Sequence, residues 1–196
     1  MGRLLDTLDA TATRDNTIII FTSDNGYHLG EKDCIQKWHL WDESTRIPLL
    51  IHIPNNTGNG QTCHHPVSHI DLYPTLIDLC NLPPQPHGNQ TLDGHSLQPF
   101  LKEPNTKNWS GPSVALMAIR DADETPHFSI CSDQYRYTLC SNGEEECYDH
   151  TADPHEWTNL ATSEEHTTLK NEFREELMAL LRKSKVPEGY DAQKLA

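Results

Sequence analysis

Valine is almost missing from this chain, with three among 196 residues. A large parallel sheet buried on both faces normally draws on many Val and Ile runs, so a complete one is not expected here. Basic charge is also scarce. Lys and Arg number 15 against 29 Asp and Glu, for a formal net charge of −14. That balance excludes a nucleic-acid binder working by phosphate neutralisation and leaves no basic face for an anionic membrane. No run approaches the roughly 18 apolar residues of a membrane span. The opening Met1-Gly-Arg-Leu-Leu-Asp6 has no apolar signal core. Leu, Ile, Val and Phe together make about a fifth of the chain, the composition at which burying enough apolar surface becomes difficult. The pattern C-x-x-C is absent, which argues against a zinc ribbon or a thioredoxin motif. The six cysteines, at 34, 63, 80, 131, 140 and 147, fit either disulfides or free thiols.

What is present is organised in two halves. Leu4, Leu5 and Leu8 predict a short amphipathic helix to about Ala12. Thr17-Ile-Ile-Ile-Phe-Thr22 and Pro48-Leu-Leu-Ile-His-Ile53 each read as a strand buried on both faces, as in an α/β unit. Ser68-His-Ile-Asp71 resembles a capping box ahead of a helix with Leu72, Leu76, Ile77 and Leu79 on one stripe. Residues 81–112 hold six of the thirteen prolines and read as a wandering connection. After it come four short strand signals, at 114–119, 127–131, 135–140 and 145–148. Asn142-Gly143 predicts a type I′ hairpin with Thr138 opposite Cys147. Thr162-Ser-Glu-Glu165 predicts a capping box for a final helix of about 163–184, with Leu169, Phe173, Leu177, Leu180 and Leu181 on its apolar face. Its basic end, Arg182, Lys183 and Lys185, complements the helix dipole. The expected fold is therefore α/β: a partial sheet in residues 1–112, then an antiparallel sheet with one covering helix in 113–196.

Chemistry concentrates between the first two strands, in residues 23–47. Asp24 and Asn25 lie just past the end of a strand, where open α/β sheets place ligands. A carboxylate beside an amide oxygen suits a hard cation such as Ca²⁺ or Mg²⁺. Gly26 and Gly30 allow a tight turn, and Lys37 offers a point charge to an anion. His28, Lys32 and His39 share the loop and are candidates to face substrate. His64, His65 and His69 form a histidine cluster that a transition metal could use. The bland readings are a solvated loop for these groups, a near-core position for His52, a packing role for Trp38 and Trp41, an acidic partner for Arg46, and a solvated charge run for Glu144-Glu-Glu146.

The longer strings narrow this. Phe21-Thr-Ser-Asp-Asn-Gly-Tyr-His-Leu-Gly-Glu31 and Lys37-Trp-His-Leu-Trp-Asp-Glu-Ser-Thr-Arg-Ile-Pro-Leu-Leu-Ile51 closely resemble the sulfatase family of the alkaline-phosphatase superfamily, nearest to its iduronate-2-sulfatase-like group. Asp71-Leu-Tyr-Pro-Thr-Leu-Ile-Asp-Leu79, Leu92-Asp-Gly-His-Ser-Leu97, Tyr135-Arg-Tyr137 and Tyr148-Asp-His-Thr-Ala-Asp-Pro-His-Glu-Trp-Thr-Asn-Leu160 extend the resemblance, in order, over nearly the whole chain. The resemblance implies an alkaline-phosphatase-like fold and hydrolysis of sulfate esters of sugars or related compounds, with calcium and a formylglycine nucleophile. Asp24 and Asn25 resemble one pair of calcium ligands, and Lys37 resembles the lysine that contacts sulfate.

Two departures limit this. The family's nucleophile motif, Cys/Ser-x-Pro/Ala-x-Arg, occurs nowhere in these 196 residues. The other aspartate pair of the calcium site has no counterpart either. The chain thus resembles the C-terminal portion of a sulfatase and is expected to be inactive alone. The rivals are a phosphodiesterase or phosphatase of the same superfamily and a non-catalytic fragment. Family members are usually exported or lysosomal. No nucleic-acid or membrane partner is expected.

Overall fold

The computed structural model describes residues 1–83, 92–120 and 125–183. The prolines at 84 and 86, and Lys185, lie outside the described residues. The chain forms two compact units. One comprises Met1–Asp24, Ile47–His64 and Ile70–Ser110, and the other Asn25–Arg46, His65–His69 and Gly111–Ala196. The loop at 25–46, which a linear reading groups with the first half, clusters with the second.

In the first unit, α1 (Gly2–Asp9) leads to β1 (Ile19–Thr22), which pairs antiparallel with β2 (Leu49–His52). The apolar runs form strands as their β-branched content predicts, but burial on both faces does not follow. Phe21 and Leu50 are register partners and stand 43% and 55% exposed. Ile20 and Ile51 occupy the half-buried side. His52 is exposed, so it is not a near-core histidine. After a 3-10 turn at His69–Asp71, α3 (Leu72–Leu79) begins with no side-chain cap. The expected capping box fails because Asp71 is used elsewhere. Its Oδ1 accepts from the His95 backbone at 2.8 Å, and its carbonyl accepts from Thr75 Oγ1 at 2.6 Å. Thr75 Oγ1 in turn accepts from the Leu97 backbone at 2.8 Å, so the 92–97 motif is pinned to α3 and leads into α4 (Gln98–Lys102).

The second unit holds a four-stranded antiparallel meander, β3 (Ala115–Arg120), β4 (Pro126–Cys131), β5 (Tyr135–Leu139) and β6 (Glu145–Asp149). Tyr137 faces Cys147 in the register, one residue away from the pairing a two-residue I′ turn would set. The reason is the turn chemistry. Only Gly143 takes a positive φ, +85°, and Cys140 N donates to Glu144 O at 2.9 Å, which closes a longer loop with one left-handed glycine. All six cysteines are free thiols.

Strand alternation gives this sheet two working faces. Phe128, Ile130, Tyr137 and Leu139 point one way and pack with Val114 against Phe173, Leu177 and Leu181 of α5 (Thr167–Lys183). Ser129, Cys131, Arg136, Thr138, Glu146 and Tyr148 alternate with them onto the opposite face. The helix starts later than its expected capping box: a 3-10 turn, Glu164–His166, precedes it, and the Ser163 hydroxyl meets His166 Nδ1 at 3.1 Å. The acidic run of the hairpin is not a solvated face throughout. Glu145 accepts from Tyr137 Oη at 2.6 Å, Lys170 Nζ at 2.8 Å and Arg174 Nη1 at 2.9 Å, which ties the hairpin to α5.

Leu177 is fully buried at the centre of this helix–sheet contact. Leu177→Ala should lower stability by about 2–5 kcal/mol, read as a lower urea midpoint at unchanged slope.

Candidate functional site

The face of the sheet opposite α5 is covered by the 25–46 loop, and the loop's own geometry begins at its glycine. Gly26 N donates to Ser44 O at 2.9 Å, and a methyl group at Gly26 would collide with the Glu43 carbonyl. His28 N donates to Gln36 O at 2.9 Å and Leu29 N to Glu31 Oε2 at 2.7 Å. Lys32 and Asp33 take left-handed backbone angles, φ +53° and +58°. Conformations like these cost non-glycine residues free energy and need support from their surroundings.

Support for Lys32 is its clamp. Its Nζ lies 4.2 Å from the Trp41 ring centre and 4.3 Å from the Tyr148 ring centre, and donates to Tyr148 Oη at 3.1 Å. Burial lowers its pKa, with Glu146 working against the shift. His28 and His39 meet the same tryptophan. His39 stacks on Trp41 at 4.7 Å, and His28 lies edge-on to both rings, at 5.5 Å from His39 and 5.8 Å from Trp41. The Gln36 amide donates to His39 Nε2 at 2.7 Å, while burial, reinforced by His28, lowers the His39 pKa. His28 is buried to 1%, and neither ring nitrogen has a partner among the described residues. Trp41 Nε1 donates to Glu146 Oε2 at 2.8 Å, so the ring that gathers these groups is itself fixed. Trp38, by contrast, is 62% exposed and donates to Arg120 O at 3.0 Å.

Of the anticipated metal and sulfate residues, two are exposed and one is half-buried. Asp24 is exposed and closes the first unit, with Ser23 Oγ 3.5 Å from its Oδ1. Asn25 is half-buried and opens the second unit. Lys37 is exposed, without a hydrogen-bond or ion-pair partner among the described residues.

Beneath the loop lies an ion cluster that sequence reasoning missed. Arg136 is buried to 1% on β5. Its Nε donates to Glu156 Oε1 at 2.6 Å, its Nη2 to Asp42 Oδ1 at 2.8 Å and its Nη1 to Leu40 O at 2.9 Å. Glu156 Oε2 accepts from the Asp42 backbone at 2.9 Å, and Oε1 also meets His150 Nε2 at 2.8 Å. Arg46 reaches Asp42 Oδ2 at 3.6 Å, the acidic neighbour expected for it. The cluster holds α2 (Asp42–Thr45), and with it the loop, onto the sheet. Its signal was an arginine alternating with tyrosines in a strand, Tyr135-Arg-Tyr137, paired with an Asp-Pro-x-Glu turn. The hydrogen bond with Cys131, then that with Glu156, raises the His150 pKa to about 9 against the opposing effect of burial. Burial works to raise the Glu156 pKa, but the His150 hydrogen bond and the Arg136 charge outweigh it and lower it.

Comparison with known proteins shows what the chain is similar to. Residues 1–82 match the family model described as Sulfatase. They are a sulfatase-family segment. An ulvan-active sulfatase from Formosa agariphila is 33% identical over 178 residues, 88% of this chain and 34% of its own length. A protein solved in complex with its substrate D-glucosamine-2-N,6-O-disulfate superposes with a TM-score of 0.81 at 27% identity, over 96% of this chain and 39% of that one. The phosphonate monoester hydrolase of Agrobacterium radiobacter gives 0.77 at 28% identity, over 93% and 38%. The fold is thus α/β and alkaline-phosphatase-like, as in these structures. The chain spans about a third of the length of the curated relatives it matches. Among the described residues, no helix is long and apolar enough to cross a membrane.

Glu156→Gln removes a charge that faces a buried guanidinium and should destabilise by about 3–5 kcal/mol in urea unfolding. His150 adds a pH dependence. Its folded pKa of about 9 lies above the unfolded value of about 6.5. Its contribution is therefore complete below about pH 6.5 and fades as pH rises through 9. Melting temperature should fall across that window, and His150→Gln should flatten the fall.

Proposed function

We propose that the protein carrying this chain hydrolyses sulfate esters of sugars. In this reading Asp24 and Asn25 give two oxygen ligands to a calcium ion, and Lys37 neutralises the sulfate oxygens. One observation carries it: all three residues lie inside the matched sulfatase-family segment, with Asp24 and Lys37 presenting exposed side chains and Lys37 without a protein partner. The donor set fits the metal, since a carboxylate and an amide oxygen are hard ligands. Two ligands fall short of the six to eight that Ca²⁺ takes, so this chain alone should bind it weakly. Bound calcium would supply Lewis-acid polarisation of the sulfate group. Lys37 acts as a point charge on the sulfate. The iduronate-2-sulfatase-like subtype belongs to this proposal, on the strings quoted above. A formylglycine nucleophile would come from a Cys/Ser-x-Pro/Ala-x-Arg segment that these residues lack.

A second reading, hydrolysis of phosphonate or phosphate esters, is favoured by the likeness to the phosphonate monoester hydrolase.

The purified chain should show no turnover of an aryl sulfate or of an aryl phosphonate monoester. Sulfate turnover that Lys37→Ala abolishes would overturn the incompleteness, and phosphonate turnover would favour the second reading. Calorimetric titration should give calcium binding no tighter than the order of 10⁻³ M, lost in Asp24→Ala. Tight binding that survives Asp24→Ala would refute the ligand assignment. Genomic DNA upstream of Met1 should encode, in frame, Cys/Ser-x-Pro/Ala-x-Arg.

A further inference from the structure

At the edge of the ion cluster three side chains that could ligate a metal come together, although each also has a protein partner: Asp42 accepts from Arg136, His150 meets Glu156, and Cys131 Sγ donates to Ser132 O at 3.2 Å. Cys131 ends β4, His150 follows β6, and Asp42 opens α2. One ligand atom from each lies within 4.8 Å of the other two, and among the described residues they are the one such group of three. The histidines at 64, 65 and 69 are not part of it. His65 Nδ1 instead donates to Pro66 O at 2.8 Å.

We propose that Cys131, His150 and Asp42 form a zinc site, separate from the calcium ligands, that staples the 25–46 loop to the sheet. The donor set selects the ion. A thiolate is too soft for calcium, whereas thiolate, imidazole and carboxylate together are ordinary zinc ligands. Bond lengths of about 2.0–2.3 Å put tetrahedral ligand atoms roughly 3.5 Å apart, so closing the site needs movements of about 1 Å. Three protein ligands leave the fourth position to water.

An outer layer of support is already built. His150 Nε2 is held by Glu156 Oε1 at 2.8 Å, which leaves Nδ1 for the metal in the usual carboxylate–histidine–zinc arrangement. Glu156 is itself oriented by Arg136 Nε at 2.6 Å and by the Asp42 backbone at 2.9 Å. The nearby guanidinium does not repel the ion uncompensated. With a dication, a thiolate, Asp42, Glu156 and Arg136, the formal charges of the cluster cancel. Asp42 Oδ1 accepts from Arg136, while Oδ2 lies 3.6 Å from the exposed Arg46. The side chains of Asp42 and His150 are 14% and 17% exposed, which leaves the site open to solvent. Cys131 and His150 would ligate in their deprotonated forms, and any displaced proton goes to solvent.

Cobalt(II) substitutes for zinc and reports thiolate ligation by a charge-transfer band in the near ultraviolet. Titrating the chain, reduced and stripped of metal, with Co²⁺ should give this band at one equivalent, and one equivalent of Zn²⁺ should bleach it. Cys131→Ser and His150→Gln should each abolish it, while Cys34→Ser should keep it. Zn²⁺ should raise the melting temperature of the wild type and not of Cys131→Ser. No band in the wild type at one equivalent, or a band that survives Cys131→Ser, overturns the site. Circular dichroism of each variant separates loss of ligand from loss of fold.

Discussion

A guanidinium that cannot reach water has to be matched, and Arg136 sets that demand near the start of β5. Leaving a buried charge unmatched costs several kcal/mol, so every segment that supplies a partner is constrained by it. The Asp-Pro-His-Glu turn must place Glu156 at its Nε, and α2 must place Asp42 at its Nη2. Leu40 must offer its carbonyl. Glu156 accepts a left-handed backbone, φ +58°, in meeting this requirement. The loop with the candidate site residues is therefore positioned from beneath, by charge, as well as by its own turns.

The two faces of the same sheet use different physics. Toward α5 the contact is apolar and close-packed, and its strength follows buried area. Toward the loop it consists of a salt-bridge cluster, a tryptophan hydrogen bond and a lysine held between two rings. Buried ion pairs add little net stability relative to apolar packing, but their geometry admits few alternatives. The loop's conformation is thereby specified more than its attachment is strengthened. The three proposed zinc ligands, Cys131, His150 and Asp42, sit on the rim of that cluster and share its partners.

Much of the second unit was legible in the residues. The four strands fall within one or two residues of their apolar and aromatic runs, and the apolar face of α5 is the one its spacing marks. Errors arose where a side chain had a competing partner. Asp71 serves His95 instead of a cap, and Ser163 meets His166. Glu145 binds Lys170 and Arg174 instead of water. The hairpin register slipped by one because a single left-handed glycine suffices for the longer turn, while Asn142 needs no positive φ. The burial expected for Phe21 and Leu50 depends on what covers a strand pair, which periodicity does not encode.

The candidate site divides in the same way. The sequence alone singled out Asp24, Asn25 and Lys37 as candidates, because residue type and spacing within one continuous string are what that proposal rests on. It also determined that Gly26 stands in the loop, though not that the Glu43 carbonyl requires a glycine there. The tertiary structure alone decided that His28, Lys32 and His39 converge on Trp41, and that Arg136 binds residues about 20 and 94 positions away. It also decided that Cys131 meets His150 and Asp42. Those pairings join different strands and loops, and their partners are chosen by which side chains the sheet's alternation brings to one face. Local preference has no access to that choice, since no interaction within the string distinguishes one face from the other.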